Sequence, residues 1–447
     1  MATQKISLGE KLAFGAGDCG CNFVWNVLAL FMTIYYTDSV MISAAAVGGI
    51  MLAARIFDGI SDLIMGVILD RTKTRWGKAR PWVLWSAPFM AIGLILTFSV
   101  PDIGENGKVI YAFCTYFFLT VIVYTASNLP YNALLSFITD NQKERTSLSS
   151  VRFLMTNLLV IILSFVTPPA AKALGWFGIT SIYGLLAMIA LLITFYFCKE
   201  RVEPVKAKEN VSFVKSIKYL AVNKYFIYTT IIFVMDYILY AVSGSSGMYY
   251  VKYIFHDENL FGVITLFQNI PMILGCLFFP VIANRFGKWN CMIGGYVLMI
   301  IGFGLIALFP ENWYCALAGF MIQGVGRAPH TAGLFALVAD VVDYGEWKTN
   351  KRIEGATYSV TSFGMKVGAG LGGAVVGIVL AMGNYDGGAL TQSESAITAI
   401  LTAILALVAY IPIGIAVLGI LLMITANIDK VYPQVVRDLA IRHAKEN

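Results

Sequence analysis

The stretch RIFDGISDLIMGVILDRTKTRWGKARPW, residues 55–82, decides the fold. It begins inside an apolar run that carries Asp58, Ser61 and Asp62, and it ends in a loop holding Arg71, Lys73, Arg75, Lys78 and Arg80. A carboxylate within a membrane span costs about 2.5–3.5 kcal/mol even on the lenient insertion scale, so two on one helix need a reason. Asp58 and Asp62 are one helical turn apart and share a face, with Ser61 beside them. That face is a seat for a small cation, with Na⁺ at Asp58 and Asp62 as one occupant.

The surrounding chain is 58% hydrophobic and only 13% charged over 447 residues, which excludes a soluble globular protein. It reads as a polytopic membrane protein. The opening MATQKISLGEK is polar, and the first apolar segment is interrupted by Asp18 and runs well past a signal core, so no cleaved leader is expected. The seven cysteines show neither CxxC nor Cys/His metal spacing and read as apolar fillers. The net charge of +6 does not imply nucleic acid, because the basic residues are divided among loops.

Windows long enough to cross a bilayer, roughly 20 residues each, fall near 11–36, 43–69, 81–100, 109–138, 148–171 and 176–198, then near 225–252, 260–284, 289–309, 313–342, 355–382 and 397–427. The expected architecture is an all-α membrane protein with twelve transmembrane helices in two pseudo-symmetric six-helix halves. Residues 1–198 form the first half, 199–224 a cytoplasmic connector, 225–427 the second half and 428–447 a cytoplasmic tail. Alternate loops carry the basic residues: Arg71 through Arg80, Lys143 and Arg145, the connector, Arg285 and Lys288, then Lys348, Lys351 and Arg352. The other loops hold Lys108, Lys172 and Lys252. By the positive-inside rule both termini are cytoplasmic.

The 2–3 loop reads GVILDRTKTRWGK and the 8–9 loop reads PVIANRFGK, an internal repeat of Asp-Arg or Asn-Arg followed by Gly-Lys. Through Gly66, Asp70 and Arg71 the first of these resembles the Gly-x-x-x-Asp-Arg signature of the major facilitator superfamily, whose halves are related by an axis along the membrane normal.

Several polar residues interrupt the spans. Asp18, Asn22 and Trp25 fall at i, i+4 and i+7 on one face, where a carboxylate and amide can bind sugar hydroxyls and an indole can stack on the ring. The same stripe also suits packing against a neighbouring helix. Tyr124, Thr125, Asn128, Pro130, Tyr131 and Asn132 crowd the fourth span. Thr125 can lend a hydroxyl to a hard cation near Asp58 and Asp62, or the run can hydrogen-bond between helices. Arg152 can pair with the carboxylates or with substrate. Lys366 lies in the glycine-rich SFGMKVGAGLGGAVVG of span eleven and must face protein or water. Arg327 and His330 sit three apart in span ten, and Asp236 is central in span seven. Either Asp236 and Arg327 form a buried pair, or Arg327 and His330 read an anionic group on the substrate.

Together these residues resemble the glycoside–pentoside–hexuronide:cation symporter family along nearly the whole chain. The most specific stretches are YYTD at 35–38, ARIFDGISDLIMG at 54–66, RTKTRWGKARPW at 71–82, YTASNLPY at 124–131 and ADVVDYGEWKTNKRIEG at 339–355. The resemblance implies a cation site at Asp58, Ser61, Asp62 and Thr125, and a sugar site at Asp18, Tyr124, Asn128, Arg152 and Lys366. The chain departs from the family's pattern at Gly17, Ser61, Asn128 and Asn132, so the resemblance carries neither the cation's identity nor a galactoside preference. It implies import of a sugar or glycoside across a bacterial inner membrane, coupled to Na⁺, Li⁺ or H⁺, with no other cofactor.

The mechanism expected is alternating access. Two carboxylates one turn apart repel, and a cation or proton relieves that repulsion and organises the sugar residues. Asp70, Arg71, Asp340, Asp343, Glu346 and Arg352 form a cytoplasmic gate or act as topology determinants. A monomer is expected, and no enzyme constellation is present at readable spacing. A sugar uniporter and a lysolipid carrier are the rival readings.

Overall fold

The first helix starts with a side-chain N-cap. Ser7 Oγ accepts from the backbone N–H of Glu10 at 3.2 Å, and α1 runs over Leu8–Val27 before two wider π turns, Leu28–Met32 and Tyr35–Ser39. The computed structural model describes residues 6–202, 220, 222–349, 354–385 and 394–446. Among the described residues every regular element is helical. Helix α2 is Ala44–Arg71, entered through Ser43, and α3 is Arg80–Thr97, with Pro81 in the first turn, where no N–H is missed. Helix α4 runs through Glu105–Phe117, a π segment Phe118–Tyr124, and Thr125–Ile138.

The helical stretch Gln142–Phe197 is two rods, α5 and α6, which meet at Gly175 with φ 70°. That left-handed conformation suits glycine and falls in the gap expected between 171 and 176. Then follow α7 (Lys224–Tyr253), α8 (Leu260–Phe286), α9 (Lys288–Leu308), α10 (Trp313–Thr349) and α11 (Glu354–Met382). Helix α12 comprises Glu394–Leu405, a π segment Ala406–Tyr410 and Ile411–Thr425. Each expected window thus overlaps one of these twelve rods. Among the described residues seven helical stretches are long and apolar enough to cross a membrane, by length and composition. Helices α1, α2, α3 and α10 are not among them, and α1, α2 and α10 carry Asp18, Asp58, Asp62 and Arg327.

The expected tail contains a thirteenth helix, α13 (Tyr432–Glu446). Val435 and Leu439, one turn apart, are buried, and Trp347 Nε1 donates to Asp438 Oδ2 at 2.9 Å.

The chain divides into two compact units. One comprises Met1–Lys206, Gly244–Thr265 and Gly373–Ala403, the other Ala207–Ser243, Leu266–Gly372 and Ile404–Asn447. The first has a core around Phe14, Leu94, Tyr116 and Tyr131, the second around Phe233, Trp289, Leu337 and Met423. Most of the expected connector, 203–219 and 221, lies outside the described residues. In the first unit the YYTD carboxylate, Asp38, binds Lys252 Nζ at 2.6 Å, Tyr253 OH at 2.9 Å and Tyr385 OH at 2.6 Å. That network ties the end of α1 to the end of α7 and to the turn after α11.

The Gly-Lys repeat has a structural cause. Ahead of α3, Gly77 has φ 107°, and the Glu200 carboxylate beyond α6 accepts from the backbone N–H groups of Lys78, Ala79 and Arg80 at 2.8–2.9 Å. Ahead of α9, Gly287 has φ 85°, and the Asp429 carboxylate beyond α12 accepts from Trp289 N at 2.8 Å and Asn290 N at 3.4 Å. A Cβ on either glycine would run into the capping carboxylate. Each half therefore closes the start of its third helix with an acid delivered after its sixth, and a negative charge suits a helix N-terminus. Arg201 adds a bidentate bond to Glu10, at 2.7 and 2.9 Å, which pushes the guanidinium pKa above its ordinary value. Removing a cap costs about 0.5–2 kcal/mol. Glu200→Ala is thus expected to lower the melting temperature in detergent, and Glu200→Gln, which keeps an acceptor oxygen, to recover part of the loss.

Candidate functional site

Helix periodicity places Asp58 and Ser61 on the face of α2 that meets α4. Asp58 is 0% exposed. Its Oδ1 accepts from Thr125 Oγ1 at 3.0 Å, and Thr125 Oγ1 lies 3.1 Å from Ser61 Oγ, which itself donates to the Asp58 carbonyl at 2.9 Å. The π segment ending at Tyr124 and Pro130 one turn on shape this part of α4, so that Thr125 is turned onto α2. Asp62 stands one turn along, half-buried. Three of the four expected cation ligands are thus joined by direct hydrogen bonds.

Arg55 completes the cluster, and the sequence reading missed it. Its Nη1 lies 3.2 Å from Asp58 Oδ2, and its guanidinium lies 4.3 Å over the Trp25 ring. The expected repulsion between two bare carboxylates is therefore offset by a built-in cation at i−3, a spacing that was readable. Trp25 in turn leans on Tyr124, ring centroids 5.6 Å apart. An unbroken line of contacts runs from the Asp58 carboxylate through Arg55 to the indole of α1.

On α1, Asp18 Oδ2 accepts from Thr156 Oγ1 at 2.7 Å and is in electrostatic reach of Arg152. Arg152 Nη1 donates to Asn132 Oδ1 at 2.8 Å, and Asn132 Nδ2 donates to Asn128 Oδ1 at 3.0 Å. Asn22 donates to the Asp18 carbonyl and accepts from Asn26, at 2.9 and 3.1 Å. Thus α1, α4 and α5 bring Asp18, Asn22, Asn128 and Arg152 into one polar cluster, with Trp25 and Tyr124 beside it. Thr156 and Asn132 are additional members. Chemically this is a set of hydrogen-bond donors and acceptors of both signs on half-buried residues and the exposed Asn132, flanked by an aromatic plane, suited to a polyhydroxylated ring.

Arg327, His330 and Lys366 belong to the second unit. Asp236 pairs with His330, whose Nδ1 lies 2.9 Å from Asp236 Oδ2, while Arg327 lies 4.6 Å over the Tyr240 ring. The expected Asp236–Arg327 pair is corrected accordingly. Both ring nitrogens of His330 have protein partners, the second being the Met292 carbonyl at 3.0 Å, so neither is open to a substrate here. Lys366 is half-buried on α11.

Of the gate residues, Asp70 and Arg71 are exposed at the end of α2. Asp340 binds Lys288 at 2.7 and 2.8 Å, and Asp343 accepts from Tyr432 OH at 2.9 Å. Glu346 is buried, and its carbonyl accepts from Arg442 at 3.4 Å. Arg352 lies outside the described residues.

Residues 13–430 match the family model described as MFS/sugar transport protein. The chain is 33% identical over 453 residues to the symporter YnaJ of Bacillus subtilis, covering 98% of this chain and 96% of that protein. It is 33% identical over 458 residues to the isoprimeverose transporter of Lactiplantibacillus pentosus, covering 99% and 93%. The nucleoside transporter NupG, in a mutant form, superimposes with a TM-score of 0.68 at 15% identity, over 93% of this chain and 99% of that one, which shows the fold. An all-helical integral membrane protein with the major facilitator fold, a match over most of its length to a sugar-transport family and symporter relatives at this level place it plainly. The chain belongs to the MFS/sugar transport protein family, among its glycoside–pentoside–hexuronide:cation symporters.

Proposed function

We propose that this chain imports a glycoside, pentoside or hexuronide across a bacterial cytoplasmic membrane by cation-coupled symport. The observation that carries the coupling is the wholly buried Asp58, surrounded by the hydroxyls of Ser61 and Thr125 and bridged to Arg55. An oxygen-only donor set of this kind fits a hard monovalent cation. A cation or proton arriving at Asp58 competes with Arg55 for the carboxylate. Arg55 then reorients against Trp25, and the shift passes to α1, which carries Asp18. Cation and sugar thereby bind with reciprocal coupling, about 1–3 kcal/mol in typical systems.

The names of the relatives agree with this reading, since one is a symporter and another transports isoprimeverose. Asp18, Asn128 and Arg152 would hold sugar hydroxyls.

The test is uptake into proteoliposomes of a glycoside, pentoside and hexuronide panel under imposed Na⁺, Li⁺ or proton gradients. The expected result is accumulation against the sugar gradient with one ion. Uptake that only equilibrates, whichever ion is supplied, would leave a uniporter. Competition by lysolipids and not by glycosides would replace the substrate class altogether.

A further inference from the structure

Helices α7, α9 and α10 bury a second ionisable cluster, within the second unit. Tyr296 OH donates to Asp236 Oδ1 at 2.8 Å, Asp236 Oδ2 lies 2.9 Å from His330 Nδ1, and His330 Nε2 lies 3.0 Å from the Met292 carbonyl. His330 is 3% exposed and Tyr296 0%. The Tyr296 ring lies against the imidazole, centroids 4.1 Å apart. Helices α9 and α10 approach closely enough here that a Cβ on Gly295 would meet the Gly326 carbonyl and the His330 ring.

The donors and acceptors in this cluster can be counted. A carbonyl oxygen only accepts, so Nε2 carries a hydrogen. A neutral imidazole with Nε2–H has a bare lone pair at Nδ1, and a carboxylate oxygen facing it would put two acceptors 2.9 Å apart. A proton therefore lies between them, either on Nδ1 as an imidazolium or on Oδ2 as a carboxylic acid. Either form holds one proton more than neutral histidine with ionised aspartate.

We propose that Asp236 and His330 are a proton-binding site of the second half, holding one exchangeable proton between Oδ2 and Nδ1. The site is separate from Asp58, and it does not rest on the cation or sugar assigned above. Loss of the proton turns the Nδ1–Oδ2 bond into an acceptor–acceptor contact. The junction of α7 with α10 is thus held by a hydrogen bond while the proton is bound and loses that bond when the proton leaves.

The titratable groups on the neighbouring elements are these. Arg327, one turn before His330, interacts electrostatically with Asp236 and rests on Tyr240. Tyr237 adjoins Asp236 on α7, and Tyr296 comes from α9. Cys276 of α8 donates to the Ala328 carbonyl at 3.6 Å. Helix α11 packs Gly364 and Gly368 on Val234 of α7 and carries Lys366, while α12 presents Gly419 to the Tyr296 ring. Neither Asp236 nor His330 has a second carboxylate or imidazole among these named neighbours.

The chain has three histidines, so His256→Asn combined with His443→Gln leaves His330 as the sole imidazole. ¹⁵N-histidine NMR of that protein in nanodiscs is expected to show, at neutral pH, N–H on both ring nitrogens, or N–H at Nε2 with Nδ1 accepting from an acid. One proton should be lost on raising the pH. Asp236→Asn reproduces the hydrogen bonds of the protonated pair without a titrating group, because its amide donates to Nδ1 and its carbonyl accepts from Tyr296. It should therefore flatten the alkaline loss of thermal stability seen in wild type. A His330 whose Nδ1 is bare beside an ionised Asp236 would overturn the proposal, as would identical pH–stability curves for wild type and Asp236→Asn. If the Asp236→Asn protein does not fold, the NMR arm, which keeps Asp236 and His330 native, decides alone.

Discussion

Asp58→Cys is expected to abolish concentrative uptake while sparing sugar exchange. The carboxylate contacts both the Thr125 hydroxyl and Arg55, so its loss removes the negative charge from the proposed cation site. The cation's effect on sugar affinity, about 5–150-fold for ordinary coupling energies, should vanish with it. Breaking a buried ion pair from one side costs about 3–5 kcal/mol, because Arg55 is left charged and without its partner. Melting curves must therefore accompany the transport assay. Arg55→Gln in the same background should restore stability without restoring accumulation. If the single variant folds and still accumulates sugar against its gradient, Asp58 is not the coupling group.

Asp18→Asn has the second-largest expected effect, on the sugar itself. A hydrogen bond to a charged group contributes about 1.5–3 kcal/mol, which corresponds to roughly 10–150-fold in affinity. The amide keeps an acceptor for Thr156 and loses the charge that faces Arg152. Sugar binding should weaken by that factor, and the cation's residual effect on affinity should persist, because Asp58 and Thr125 are untouched. Unchanged sugar affinity would move the substrate to another part of the chain.

The helices were legible because their apolar length is set by the bilayer, and because basic residues fall in alternate loops. Asp58, Ser61 and Thr125 were legible for a similar reason, since one helical turn fixes which residues share a face. What escaped depended on choices that spacing does not make. Charge alone favoured Arg327 as the partner of Asp236. The structure uses His330, the guanidinium instead covering Tyr240. Arg55 stood in plain sight at i−3 from Asp58, yet a cation beside two acids was read as part of the apolar run. Helix α13 carried the buried pair Val435 and Leu439 at i and i+4, a helical signal too short to stand out from a polar tail. Glu200 and Asp429 gave no local signal, because each caps a helix more than a hundred residues away in sequence.

Those two distant caps bear on how the protein is made. Lys78 and Glu200 are 122 residues apart, and Trp289 and Asp429 are 140 apart. As the chain leaves the ribosome, the start of α3 exists long before the acid that closes it, and α9 repeats the delay. Its exposed amides must be hydrated or held by other partners until the sixth helix of each half has been inserted. Completion of a half is then marked chemically, by a carboxylate reaching a helix end, and a chain that stalls before residue 200 or 429 is left with an open one. The same arrangement makes the last acid of each half a natural point at which quality control can distinguish a finished bundle from an unfinished one.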